Sequence, residues 1–247
     1  MPSRFKVLRP RSLSAATAVG LMLSTASSVM AGGVTITSYG HSALLIQGGG
    51  QSVLLNPFKA VGCAAGLREP RVNATVILAS SELADEGARV ASGRFLVQPG
   101  SYRIGGLNLE GFAAPHDRLG GRRFGQATLW RWQQGGLQFA HLGGSAASLS
   151  GEDKVLLGRP DVLIIGVGGG AKVYDGAEAA QVVNALNPRR VIPVQYVSGA
   201  APSDCDQTGV QPFLDAMAGA GTPVKQTGTT ISLPSDLGDG PVIEVMR

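Results

Sequence analysis

Short apolar runs broken by glycine set the rhythm of the first half of the chain, and this spacing predicts strands. Residues 34–39 and 42–47 flank Gly40-His41, and Gly48-Gly49-Gly50-Gln51 separates the second run from residues 52–56. Runs joined by tight glycine turns are the sequence form of antiparallel strands, and Pro57 ends the series. Thr75-Val76-Ile77-Leu78 is too evenly apolar for a strand with one wet face, so it predicts a strand buried on both sides. A helix over residues 81–90 is expected after it. Phe95-Leu96-Val97 and Leu107-Asn108-Leu109 are further short strands. Residues 126–133 and 137–141 form a hairpin about Gln134-Gly135-Gly136. Trp130 and Trp132 lie two positions apart and therefore share a strand face, where sheet packing accounts for them better than a substrate stack.

The second half changes rhythm. Residues 161–167 form a buried strand that runs into Gly168-Gly169-Gly170, read as a tight turn because neither a P-loop lysine nor dinucleotide spacing follows it. A helix fits residues 177–186: Asp175 caps it, and Glu178 stands at the reciprocal capping-box position. Asn187-Pro188 stops it before a strand over 190–194. Another helix fits 210–220, with Pro212 near its start, and strands over 230–233 and 242–245 close the chain. Hairpins followed by strand–helix units predict a mixed, layered α+β fold rather than a helical bundle. Without an internal repeat or a linker, residues 32–247 read as one domain.

Composition changes the picture at the N-terminus. Of 247 residues, 44% are hydrophobic and 15% charged, which disfavours a disordered chain. The formal charge of +4 comes from Arg4, Lys6, Arg9 and Arg11; without them 17 basic residues face 17 acidic ones. No nucleic-acid partner is expected of such a balance. Those four residues open a leader with an apolar centre around Ala18–Leu23 and small residues at Val29 and Ala31, the order of a secretory signal peptide over residues 1–31. The apolar centre is too short for a spanning helix, so no stable membrane span is expected after cleavage. The mature protein is expected outside the cytoplasm, in the periplasm first, with the extracellular space or an internal lumen as alternatives. Export permits a bond between Cys63 and Cys205, but sequence leaves open a disulfide, two inert thiols, or a metal or catalytic role.

Several ordered segments resemble the metallo-β-lactamase-fold hydrolases, especially their ascorbate-phosphate-lactonase-like branch. They are Gly40-His41-Ser42-Ala43-Leu44-Leu45-Ile46, Val53-Leu54-Leu55-Asn56-Pro57-Phe58, Ile77-Leu78-Ala79, Ala140-His141-Leu142-Gly143-Gly144, Asp161-Val162-Leu163-Ile164, and Asn187-Pro188 with Val191-Ile192-Pro193-Val194-Gln195-Tyr196. The resemblance implies an αββα sandwich, two central mixed sheets flanked by helices, with a two-metal hydrolytic site at one end. The family's Thr-His-any-His-any-Asp-His loop falls on residues 80–86. Asp85 matches it, whereas Ser81, Leu83 and Glu86 replace three imidazoles. The His-Leu-Gly-Asp segment keeps His141 and has Gly144 in place of the bridging carboxylate. Gln195 replaces the last histidine, and Asn56 replaces an acid.

Zinc is held by imidazole, thiolate or carboxylate, and a catalytic ion needs several of these while keeping a position for water. Most of that shell is missing, so no conventional dinuclear site is expected, and no cofactor. The candidate pocket is His41, Asp85, Glu86, His116, His141 and Gln195, which includes all three histidines of the chain. The alternative is one zinc or other divalent ion on a rearranged set drawn from Asp85, Glu86, His116 and His141. Ser81 and Ser145 lack a nucleophile elbow, and Arg122-Arg123 reads as a solvated basic step. The expected function is that of an exported pseudoenzyme binding a small molecule or a protein. A rearranged single-metal hydrolase of an ester, lactone or phosphoester and a structural envelope protein are the alternatives.

Overall fold

The computed structural model describes residues 1–3 and 32–247; apart from residues 1–3, the expected leader lies outside them. Strands β1 (Gly33–Ser38), β2 (Leu44–Gly48), β3 (Gln51–Leu55), β4 (Asn73–Leu78) and β5 (Ser92–Leu96) open the fold. Next come β6 (Gly100–Ile104), β7 (Leu107–Pro115), β8 (Gln126–Gln134), β9 (Leu137–His141), α1 (Gly151–Leu157) and β10 (Val162–Gly166). The last elements are α2 (Gly176–Leu186), β11 (Arg190–Val194), α3 (Gln211–Ala218), β12 (Val224–Gln226), β13 (Thr230–Pro234) and β14 (Val242–Val245).

They build two mixed sheets, one of six strands in the order β13-β1-β2-β3-β4-β5 and one of eight in the order β12-β14-β11-β10-β9-β8-β7-β6. Alternation along the strands explains the layering. On β10, Val162 and Ile164 face the core between the sheets, while Leu163 and Ile165 face the other way, toward Leu157 of α1, Val183 of α2 and Phe213 of α3. Trp130 and Trp132 both enter the inter-sheet core, and Trp132 stacks on Phe139 with ring centroids 4.9 Å apart. The α+β sandwich of two mixed sheets is therefore present. All three α-helices of the described residues join the cluster on the outer face of the eight-stranded sheet. Leu45, Leu54 and Ile77, on the outer face of the other sheet, cluster with Tyr39, Val72, Ala74, Ala91 and Phe95. Among the described residues no helix is long and apolar enough to cross a membrane.

The capping box forms as its spacing predicts, with Asp175 accepting from the Glu178 backbone N–H and Glu178 accepting from that of Asp175, both at 2.9 Å. The helix expected over 81–90 does not form. There the backbone is paired across to another segment, Lys59 N–H to Ala84 O at 2.7 Å and Ala88 N–H to Pro57 O at 2.7 Å, which uses groups a helix would need. Gly87 also packs against the Ser81 carbonyl so closely that a Cβ has no room.

Candidate functional site

The loops that follow β3, β4, β7, β9 and β11 meet at one rim, together with the β1–β2 turn that carries His41. Indole anchoring and strand pairing fix the β4 exit: Trp130 Nε1 donates to Ala79 O at 3.0 Å, and the Thr128 N–H to Ser80 O at 2.8 Å. His41, Asn56 and Gln195 adopt the left-handed backbone region, with φ of 48°, 37° and 52°. Outside glycine this costs on the order of 1–3 kcal/mol per residue and persists only where the surroundings over-determine it. Here the Gln195 N–H donates to His41 O at 2.8 Å and the Asn56 N–H to Leu78 O at 3.0 Å.

Glu86 is the centre of the site and is fully buried. Its Oε1 accepts from the Ser81 hydroxyl at 2.6 Å and lies 2.8 Å from His116 Nε2, while Oε2 accepts from Gln195 Nε2 at 2.9 Å. The His116 contact has the distance of an ion pair but not the alignment of a hydrogen bond. The Gln195 carbonyl oxygen in turn accepts from the Gly144 N–H at 2.7 Å. Burial pushes the Glu86 pKa up, but His116, the Lys172 charge and the Ser81 hydroxyl outweigh it and bring the carboxyl down to about 2. Glu86 is thus ionised at neutral pH, with both oxygens engaged by protein groups.

A second group lies beside it. Asn56 Nδ2 donates to the Ser80 hydroxyl at 2.9 Å, Asn56 Oδ1 accepts from the Ser80 N–H at 2.7 Å, and Ser80 Oγ stands 3.4 Å from His141 Nε2. Ser80 also donates to Gly143 O. Burial, partly opposed by Glu86, lowers the His141 pKa to about 4, leaving the ring neutral at neutral pH. His41 is lowered by burial as well; Asp85 and Glu86 oppose this and Lys172 adds to it. Asp85 itself pairs with Lys172, Nζ to Oδ2 at 2.6 Å.

Of the six candidate residues, Glu86, His116 and Gln195 are joined directly, His41 is tied to Gln195 through the backbone, and His141 belongs to the Asn56–Ser80 group. Lys172 and the Asn56–Ser80 pair are the functional groups that sequence reasoning missed. Asn56 had a signal, as the replacement of an acid, whereas Lys172 sits in a loop after three glycines with no local pattern to mark it. Ser81 bonds to Glu86 and Ser145 to the Pro115 carbonyl, so neither hydroxyl is held by an imidazole.

These residues do not fit a pair of divalent ions. At Gly144, where a bridging carboxylate would project, a Cβ would run into the Glu86 carboxylate. Among the described residues no three His, Cys, Asp or Glu side chains are grouped to hold a metal. Buried imidazole nitrogens without a partner are present, namely His41 Nε2, His116 Nδ1 and His141 Nδ1, but they belong to no such group.

Next to the network lies a cleft of about 360 Å³, lined among others by Ser80, Ser81, Leu83, Gln98, Phe124 and Gln126. The Asp117 carboxylate shapes its rim by accepting the N–H groups of Leu119, Gly121, Arg123 and Phe124 at 2.8 to 3.2 Å. A disulfide joins Cys63 to Cys205 across 142 positions of sequence.

Residues 35–195 match the family described as "Beta-lactamase superfamily domain", and the chain belongs to that family. Solved structures share its fold. A candidate zinc-dependent hydrolase of the metallo-β-lactamase superfamily from Thermotoga maritima aligns with a TM-score of 0.69 and 22% identity, over 86% of this chain and 98% of that one. Igni18, a metallo hydrolase of Ignicoccus hospitalis, aligns at 0.58 and 15% identity, over 81% and 98%. An isothiocyanate hydrolase from Delia radicum gut bacteria aligns at 0.56 and 10%, over 76% and 93%. At these identities the likeness establishes the metallo-β-lactamase fold and nothing finer. Comparison with curated proteins finds no match.

Proposed function

We propose that this protein is an exported, non-hydrolytic member of its superfamily that binds a small molecule or a protein segment beside a former metal site. The ordered motifs resemble the ascorbate-phosphate-lactonase-like branch, and the proposal includes that placement and a periplasmic location. One observation carries the loss of hydrolysis: the Glu86 carboxylate fills the space a bridging ligand would need at Gly144 and is engaged by Ser81, His116 and Gln195. Each oxygen of this carboxylate already accepts a protein hydrogen bond, and at a pKa of about 2 it is a weak base. The strained backbone of His41, Asn56 and Gln195 and the open cleft support a binding role over a purely structural one.

The single-metal hydrolase is the second reading, favoured by the unpartnered nitrogens of His41, His116 and His141. Assays of the mature protein against simple esters, lactones and phosphoesters, with and without added zinc, separate the two. The binding reading expects no turnover above the uncatalysed rate in either condition. Turnover that needs zinc and disappears in His116→Ala would overturn it.

A further inference from the structure

The loop from β10 to α2 brings a cation into a site whose fold ordinarily gathers donors around metal. Lys172 Nζ lies 2.6 Å from Asp85 Oδ2, and both side chains are largely withdrawn from solvent. Asp85 is the one residue of the 80–86 loop that matches the family's metal pattern, so this ammonium meets the carboxylate that the pattern assigns to an ion.

The loop that delivers Lys172 is held from several sides. Arg118 donates to Gly170 O at 2.6 Å and to Val173 O at 3.1 Å, and its Nε donates to Glu178 Oε1 at 2.9 Å. Asp206 Oδ2 accepts from the Ala171 N–H at 2.9 Å, and the Thr208 N–H donates to Gly168 O at 2.7 Å. Asp206 directly follows Cys205, whose disulfide to Cys63 fixes that stretch of chain. A lysine on a free loop would lose backbone as well as side-chain entropy on pairing; here the backbone is already ordered.

We propose that Lys172 is the resident cation of this site, its ammonium neutralising Asp85 and Glu86 in place of a metal ion and thereby excluding divalent ions. A buried carboxylate without a compensating charge is costly, so a chain that loses its metal ligands while keeping Asp85 and adding Glu86 needs another positive group. Lys172 supplies it with the chain's own atoms. A divalent ion entering beside Asp85 must displace or repel that ammonium, so wild-type affinity is low even though carboxylate oxygens and an unpartnered His41 nitrogen are near.

This inference rests on the non-hydrolytic reading, and its test is separate from that one. Chelator-stripped mature protein is titrated with zinc chloride by calorimetry and melted with and without zinc. Wild type and Lys172→Arg, which keeps the charge, should show only weak, unsaturated binding. Lys172→Met, which keeps the apolar stem, should bind one ion at least about tenfold more tightly, a difference read directly from Kd, and zinc should raise its melting temperature. If Lys172→Met does not fold, the double variant Lys172→Met/Asp85→Asn, in which neither charge remains, should fold and melt higher than the single. A Lys172→Met protein that binds zinc no better than wild type, or a double variant no more stable than the single, overturns the inference while leaving the non-hydrolytic reading standing. Tight stoichiometric zinc in wild type also overturns the inference, and only zinc-dependent turnover overturns the non-hydrolytic reading with it.

Discussion

The amide of Gln195 bridges Glu86 and Gly144, donating from Nε2 to Glu86 Oε2 at 2.9 Å and accepting the Gly144 N–H on Oε1 at 2.7 Å. A glutamine does both with one planar group, whereas a neutral imidazole would need its two nitrogens on the same side. Together the three residues form a hydrogen-bonded unit.

Gly144 should therefore be intolerant of any side chain. It combines a φ of 75° with a site where a Cβ meets the Glu86 carboxylate. Gly144→Ala is expected to lower stability by about 2–4 kcal/mol through strain and displaced hydrogen bonds. Gly151→Ala, in open space at the start of α1, should change it by less than about 1 kcal/mol. Urea melting of both variants checks this, and equal losses would contradict the crowding argument.

Acid should destabilise the protein in two steps. His141 has a folded pKa of about 4 against 6.5, so the unfolded chain binds more protons between those values and stability falls as pH drops through that window, by about 3 kcal/mol in all. Glu86, at about 2 against 4.5, contributes stability that is present above 4.5 and lost as pH falls toward 2, again about 3 kcal/mol. Urea midpoints measured from pH 8 to pH 3 should fall less steeply above pH 4.5 in His141→Asn, where lowered His41 still contributes, and less steeply below it in Glu86→Gln. A wild-type profile flat from pH 7 to 4 would refute the His141 assignment.

Much of this architecture is legible in sequence because its causes are local. The Asp175 and Glu178 capping box, the strand buried on both faces at Val162–Gly166 and the glycine-turn hairpins each follow from a few adjacent residues. β6 has no such cue. α1 has one, the Ser150 and Asp153 capping box, but its seven residues, about two turns, are too short to show an amphipathic period, and Val155 faces solvent. The failure at 81–90 is a tertiary override, since residues 57 and 59 claim the backbone groups.

The site divides the same way. Ser81, Leu83, Glu86, Gly144 and Gln195 are visible as departures from a pattern. That Glu86 fills the space above Gly144, 58 positions away, and that Asp85 meets Lys172, 87 positions away, are consequences of packing that no spacing announces.

Breaking the disulfide should weaken the fold without dismantling it. Closing a loop of 142 positions is worth up to about 5 kcal/mol on the chain-entropy model, and measured losses commonly fall at 2–5. Cys205→Ser, or reduction of wild type, should lower the urea midpoint and steepen the slope, because the unlinked unfolded chain exposes more surface. An unchanged midpoint would mean that the bond does not constrain the unfolded chain.

Exported material should begin near Gly32, because the basic start, short apolar centre and small residues at Val29 and Ala31 occur in the order a signal peptidase requires. N-terminal sequencing that finds Pro2 or Arg4 on protein recovered outside the cytoplasm would count against the leader.

The metal content of mature, untagged protein tests the central claim most directly. Protein purified without chelator, challenged with zinc and desalted should retain well under two equivalents by elemental analysis, because Glu86, Gly144 and Gln195 occupy one another where ligands would stand. Two tightly held zinc ions, both lost on His141→Ala or Asp85→Ala, would contradict the account.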